Sequence, residues 1–144
     1  MVWSREEATA RLSAYQERLE ASLADGLARY LAAFRDSPPG VGAHEIDAER
    51  RITRVNPEEL RLLGYREDEV LGRPVTELIV MQEASERAIG QKLKGERDLK
   101  PFLRTFRRAD GSAAPMLLLD RLLKDGRGQV VGIRTAMAEV RIDA

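Results

Sequence analysis

The run Ile52-Thr-Arg-Val-Asn-Pro-Glu-Glu-Leu-Arg-Leu-Leu-Gly-Tyr65 writes the end of a strand and both ends of a helix into one short stretch. Asn56 is a good N-cap, since its side-chain oxygen can accept from a free N–H of the first turn. Pro57 follows at the first helical position, where its missing N–H costs nothing. Glu59 stands where a capping box would have it reach back to the Asn56 N–H. Leu60 and Leu63 share a face, and Gly64 followed by Tyr65 predicts a left-handed stop backed by an apolar residue. A chain carrying this run must place a β-to-α transition there, with the apolar helix face against a core.

The pattern resembles the strand-to-helix core of PAS domains, often written I-x-x-V-N-P followed by L-L-G-Y. Asp68-Glu-Val-Leu-Gly-Arg-Pro-Val75 is similar to the passage after that family's first helix. Arg107-Arg-Ala-Asp-Gly-Ser112 resembles its charged hairpin, and Gly126-Arg-Gly-Gln-Val-Val-Gly132 the opening of its last strand. Each motif is weak alone, but their order and spacing over roughly residues 40 to 142 reinforce one another. The resemblance implies a sensory or interaction module of a bacterial-type signalling protein, with no enzymatic role. It departs from the family at the first hairpin, where Ala48-Glu49-Arg50 stands in place of a glycine turn.

The expected architecture is α+β: a PAS-like antiparallel sheet of about five strands with short helices on one face, preceded by a long amphipathic helix. Residues 1–36 are expected to form that helix, 37–42 a Pro/Gly linker, and 43–144 the PAS-like domain. Strands are predicted over His44 to Asp47, Arg51 to Asn56, Phe102 to Arg108, Met116 to Lys124 and Val130 to Ile142. Helices are predicted over Pro57 to Leu63, Glu67 to Leu71, Val75 to Met81 and Ala84 to Leu93. Ile52 and Val55 break strict alternation, which leaves the faces of their strand unassigned. Met116-Leu-Leu-Leu119 needs cover on both faces. Val131, Ile133, Thr135 and Met137 should point one way from the last strand and Gly132, Ala136 and Ala138 the other.

Ser4 and Glu7 predict a helix start, and the stripe Leu12, Tyr15, Leu19, Leu23, Tyr30, Phe34, widened by Leu27 and Leu31, predicts one helix over 4–35. Gly26 weakens it by about 1 kcal/mol relative to Ala and marks a kink or close crossing. An unbroken helix would run about 45 Å at 1.5 Å per residue. A domain of about 100 residues, with a radius of gyration near ~13 Å, covers only part of that. The expected state is therefore a homodimer through this helix and the sheet face, although packing of the helix on its own domain is also open.

Lys+Arg and Asp+Glu balance at 24 each, so no overall field recruits nucleic acid or an anionic membrane. The span from Arg87 to Arg108 nevertheless gathers Arg87, Lys92, Lys94, Arg97, Lys100, Arg104, Arg107 and Arg108 against only Glu96 and Asp98. That cluster reads as a solvated face or as a rim suited to an anionic ligand or acidic partner. There are no cysteines, which excludes disulfides, thiolate metal sites and the flavin-cysteine adduct of light-sensing relatives. With no membrane-length apolar run and no signal-peptide pattern, the chain is expected to be cytoplasmic.

The single histidine, His44, is expected to be a polar surface residue. The resemblance would place a haem-ligating histidine within Ala84 to Leu93, which has none, so haem is disfavoured along with the flavin adduct. Adjacent pairs such as Glu58/Glu59 suit a helix start better than acid–base work. Any small molecule is expected between helices and sheet, and the candidate lining is Leu78, Ile89, Leu93, Phe106, Met116, Leu118, Ile133, Thr135 and Met137. A filled core of these residues, with constant dimerisation and no ligand, is the alternative. An effector domain or partner protein is expected to lie outside this chain.

Overall fold

The computed structural model describes residues 2–95 and 99–142. Two helices, α1 (Arg5–Asp25) and α2 (Leu27–Arg35), lead into β1 (Gly42–Asp47) and β2 (Ile52–Val55). Then come α3 (Pro57–Leu63), α4 (Glu67–Val70), a 3-10 turn (Val75–Leu78) and α5 (Gln82–Leu93). The strands β3 (Phe102–Arg107), β4 (Ala113–Lys124) and β5 (Val130–Glu139) complete one five-stranded sheet in the order β2-β1-β5-β4-β3, antiparallel throughout. The expected fold class holds, and the long N-terminal helix is present over Arg5–Asp25.

Its expected continuation to residue 35 is a correction. Gly26, at φ 130°, ends α1, and α2 folds back beside it. A non-glycine residue would be strained at that φ, so the kink foreseen at Gly26 becomes a full break. Tyr15 clamps the pair. Its hydroxyl donates to the carbonyls of Phe34 (2.8 Å) and Ala33 (3.2 Å), near the end of α2 where helical carbonyls lack partners. Leu12, Tyr15, Leu19, Tyr30 and Phe34 are buried as the stripe predicts, but Leu23, Leu27 and Leu31 are exposed around the bend. Only an unbroken helix would outrun the domain and call for a second copy to cover it, and the break at Gly26 removes that length.

The hairpin lies on its own sheet. Leu12, Tyr15, Leu19 and Phe34 share a cluster with Leu117, Leu119, Ala136 and Ala138, whose small partners on β5 admit α1 closely. Trp3 ties the start of the chain to the end of β5, its N–H donating to Glu139 O and its carbonyl accepting from Arg141 N. On the other face Met116, Leu118, Ile133 and Met137 pack with Leu63, Leu78 and Ile89. The four-residue apolar run thus splits by alternation between two cores. A bulge explains the strand left unassigned. Pairing shifts between Glu45 and Ile46, leaving Thr53 as the extra residue, and both Ile52 and Val55 reach the same core. Arg50 takes the left-handed turn position, at φ 66°, that a glycine fills more readily.

At α3 the cap forms only in part. Asn56 Oδ1 accepts from Glu59 N at 3.0 Å and also from Ala43 N at 2.9 Å. Its own N–H goes to Ala43 O, so no donor is left for Glu59 to complete a box. The Glu59 side chain turns into the core instead. Helix bounds elsewhere shift by a residue or two, and the predicted helix over Val75 to Met81 is a single 3-10 turn.

Candidate functional site

A line of polar side chains crosses the apolar inner face of the sheet. His44 on β1, Thr135 on β5 and Asp120 on β4 are direct cross-strand neighbours in the ladders. The Thr135 hydroxyl donates to Asp120 Oδ1 at 2.6 Å, and Lys92 Nζ from α5 meets Asp120 Oδ2 at 2.6 Å. At the far end His44 Nδ1 lies 2.7 Å from Glu59 Oε1 on α3. All five side chains are buried. The surface position expected for His44, and the simple helix-start role expected for Glu59, are both corrected. A carboxylate two residues into a helix that docks on β1 faces the strand, and there it meets the histidine.

Burial alone would push the His44 imidazolium to lose its proton. The Glu59 carboxylate, through charge and the hydrogen bond, together with the charge of Asp120, outweighs burial and the opposing Arg104, leaving the pKa raised above its ordinary value. The Phe106 ring meets the imidazole edge to face, with centroids 6.5 Å apart.

Beside Lys92 the surface opens into a cleft of about 1100 Å³ between α5 and the β3–β4 edge. Ala84, Ala88, Pro101, Phe102 and Met116 give it an apolar body, and Arg87, Lys92, Lys100 and Arg104 supply its charges. Four of the basic residues gathered in the sequence, Arg87, Lys92, Lys100 and Arg104, therefore share one cavity; Lys94 does not line it, and Arg97 lies outside the described residues. Lys92 Nζ sits 3.5 Å from the centroid of the Phe102 ring, and the Arg104 guanidinium carbon 4.8 Å from it.

Of the nine candidate lining residues, Leu78, Ile89, Phe106, Met116, Leu118, Ile133 and Met137 come together in one buried cluster, with Leu93 half-buried at its edge. Thr135 joins them through its hydroxyl on Asp120. Met116 alone of the nine also borders the cleft. Sequence reasoning missed Lys92, Asp120, His44 and Glu59 as one constellation. The signal available was weak: Asp120 interrupts an apolar strand directly after Leu119.

On the opposite face the hairpin is seated by a second buried network. Arg134 Nε donates to Gln16 Oε1 at 2.6 Å, and Gln16 Nε2 donates to Leu119 O at 2.8 Å. Tyr30 donates to Glu45, and burial, reinforced by that carboxylate, pushes the phenol up to about 12. Among the described residues no three histidine or carboxylate groups are placed to hold a metal ion, and no helix is long and apolar enough to cross a membrane.

A sheet with short helices and an open cleft on one face, and a helical cap on the other, defines a sensor-type fold. A sequence model of the PAS fold matches residues 29–137, and the chain belongs to the PAS family. It is similar to the PAS domain of an HTR-like protein from Haloarcula marismortui, with 26% identity over 85% of this chain and 98% of that one, and a TM-score of 0.64. A PAS domain from Colwellia psychrerythraea superposes with a TM-score of 0.67 at 16% identity, over 78% of this chain and 94% of that one. The PAS domain, in complex with ethanol, of a LuxR-family transcriptional regulator from Burkholderia thailandensis gives a TM-score of 0.58 at 22% identity, over 74% and 94% of the two chains. No curated protein sequence matches the chain.

Proposed function

We propose that this chain is the sensory module of a signal-transduction protein, taking a small molecule in the cleft between α5 and β3 and passing the event through the sheet to the N-terminal hairpin. The observation that carries this reading is the placement of the cleft. Its inner wall includes Lys92, the last member of a polar line that spans the sheet to α3, and the hairpin sits on the opposite face. Input and output surfaces are thus separated by one sheet, and coupling needs only that a ligand favour one arrangement over another. Met116 borders the cleft and belongs to the buried cluster that gathers most of the nine candidate residues, so an occupant would press on that cluster through it. That a domain of the same fold was solved with ethanol supports small-molecule entry. No catalytic role is proposed.

Native mass spectrometry tests this. The purified protein should carry a small-molecule mass that is released on denaturation and reduced in an Ala88→Trp variant, in which an indole projects from α5 into the cleft. The second reading is a ligand-free homodimerisation module, favoured by Leu23, Leu27 and Leu31, which stand exposed together around the hairpin bend. A bare dimer mass in both proteins would select it.

A further inference from the structure

We propose that the cleft takes a small anion with an apolar body, of which a carboxylic acid is the simplest, and that this anion competes with Asp120 for Lys92. The proposal rests on the sensory reading above and names the ligand class of that site.

Every charged side chain among the described residues lining the cleft is cationic: Arg87, Lys92, Lys100 and Arg104. The rest of the wall is mostly apolar, which suits a ligand with an apolar body and one anionic end. Lys92 is the informative member. It is only 2% exposed, yet it borders the cavity, and it sits between the Phe102 ring and the Asp120 carboxylate. A buried ion pair adds little stability over apolar side chains of similar volume, so its presence calls for a use. A carboxylate entering over Phe102 reaches Lys92 and Arg104 together, since both cations flank that ring. Charge-assisted hydrogen bonds of this kind are the strong ones.

The consequence runs inward. Asp120 holds two side-chain partners, Lys92 and Thr135, at 2.6 Å each. When the ligand draws the ammonium away, Asp120 keeps the threonine hydroxyl, and its charge falls more fully on His44, the next position along the ladder. His44 is in turn bonded to Glu59, and α3 packs on β1. Occupancy of the cleft is thereby felt at α3, on the far side of the sheet's inner face.

The experiment is calorimetric titration of the full chain with hexanoate, octanoate, 3-phenylpropionate and 4-phenylbutyrate, each beside its primary amide, with the His44 imidazole followed by NMR. At least one acid should bind tighter than its amide by about tenfold, the equivalent of about 1.4 kcal/mol. The His44 resonances should shift on binding. The double variant Lys92→Met/Asp120→Asn removes both charges of the pair, and its preference for acid over amide should shrink. Should that variant fail to fold, Arg104→Gln on the half-buried β3 position replaces it, with the acid preference expected to shrink. Equal binding of acid and amide by the wild type overturns the anion assignment while the cleft stands. Binding of neither series overturns the sensory reading of the cleft along with it. An unmoved His44 overturns the competition with Asp120.

Discussion

Leu12→Ala asks whether the N-terminal hairpin is part of the folded unit or an appendage resting on it. Leu12 has no exposed surface, and its cluster joins α1 and α2 to β4 and β5. Truncating a fully enclosed leucine removes its transfer free energy and leaves a cavity, at a cost of about 2–5 kcal/mol. Close packing against the small Ala136 and Ala138 leaves little room for relaxation, which favours the upper half of that range. With a urea slope of about 2 kcal/mol per molar, the midpoint should fall by about 1.8–2.5 M. The assay is urea unfolding followed by far-ultraviolet circular dichroism and by Trp3 fluorescence. Trp3 is the single tryptophan and sits in the same cluster, so it reports undocking of the hairpin directly. Both signals should move together, and both should shift in the variant. An early Trp3 transition that alone responds to Leu12→Ala, with the sheet transition unmoved, would refute the single-core reasoning.

Tyr15→Phe should cost about 1 kcal/mol in the same assay, because Ala33 O loses the tyrosine hydroxyl while Phe34 O keeps the Asn56 side-chain donor. His44, its folded pKa raised above about 6.5, contributes stability that is complete below that pH and is lost as pH rises through the folded value; an NMR titration midpoint below 6.5 would contradict the pairing with Glu59. Asp120→Ala takes the buried carboxylate from the Lys92 ammonium and should destabilise by about 3–5 kcal/mol, whereas Lys92→Met/Asp120→Leu should recover most of that loss, read by urea midpoint. Gly132→Ala should fail to fold, since its Cβ would lie 2.2 Å from the Ile46 carbonyl oxygen, while Gly126→Ala meets nothing within 4 Å and should be silent by thermal unfolding.

Local signals made much of the fold legible. Asn56, Pro57 and Gly64 each act on their own backbone, and α3 begins and ends where they stand. Asp110-Gly111 and Asp125 to Gly128 turn the two later hairpins because glycine supplies the positive φ those turns need. The break at Gly26 was harder to foresee. A glycine within a sustained apolar stripe is compatible with a bent helix, and only the tertiary clamp from Tyr15 to Phe34 decides for reversal. The polar line was the least legible feature. His44, Glu59, Lys92, Asp120 and Thr135 come from five different elements, and strand register alone brings three of them side by side. No spacing rule within one element announces such a cluster. The bulge opposite Ile46 hid the faces of β2 for a related reason, since it breaks the alternation from which faces are inferred.

The central claim is that an event in the cleft reaches the opposite side of the domain, and hydrogen exchange of the amide protons tests it most directly. Exchange should be compared for the free chain and for the chain saturated with the acid that binds tightest. The account predicts altered protection in α5 and β3 and also in β1, α3 and the α2 segment that Asn56 joins through its side-chain donor to Phe34 O. Protection that changes only in α5 and β3, with β1, α3 and α2 untouched, would contradict it.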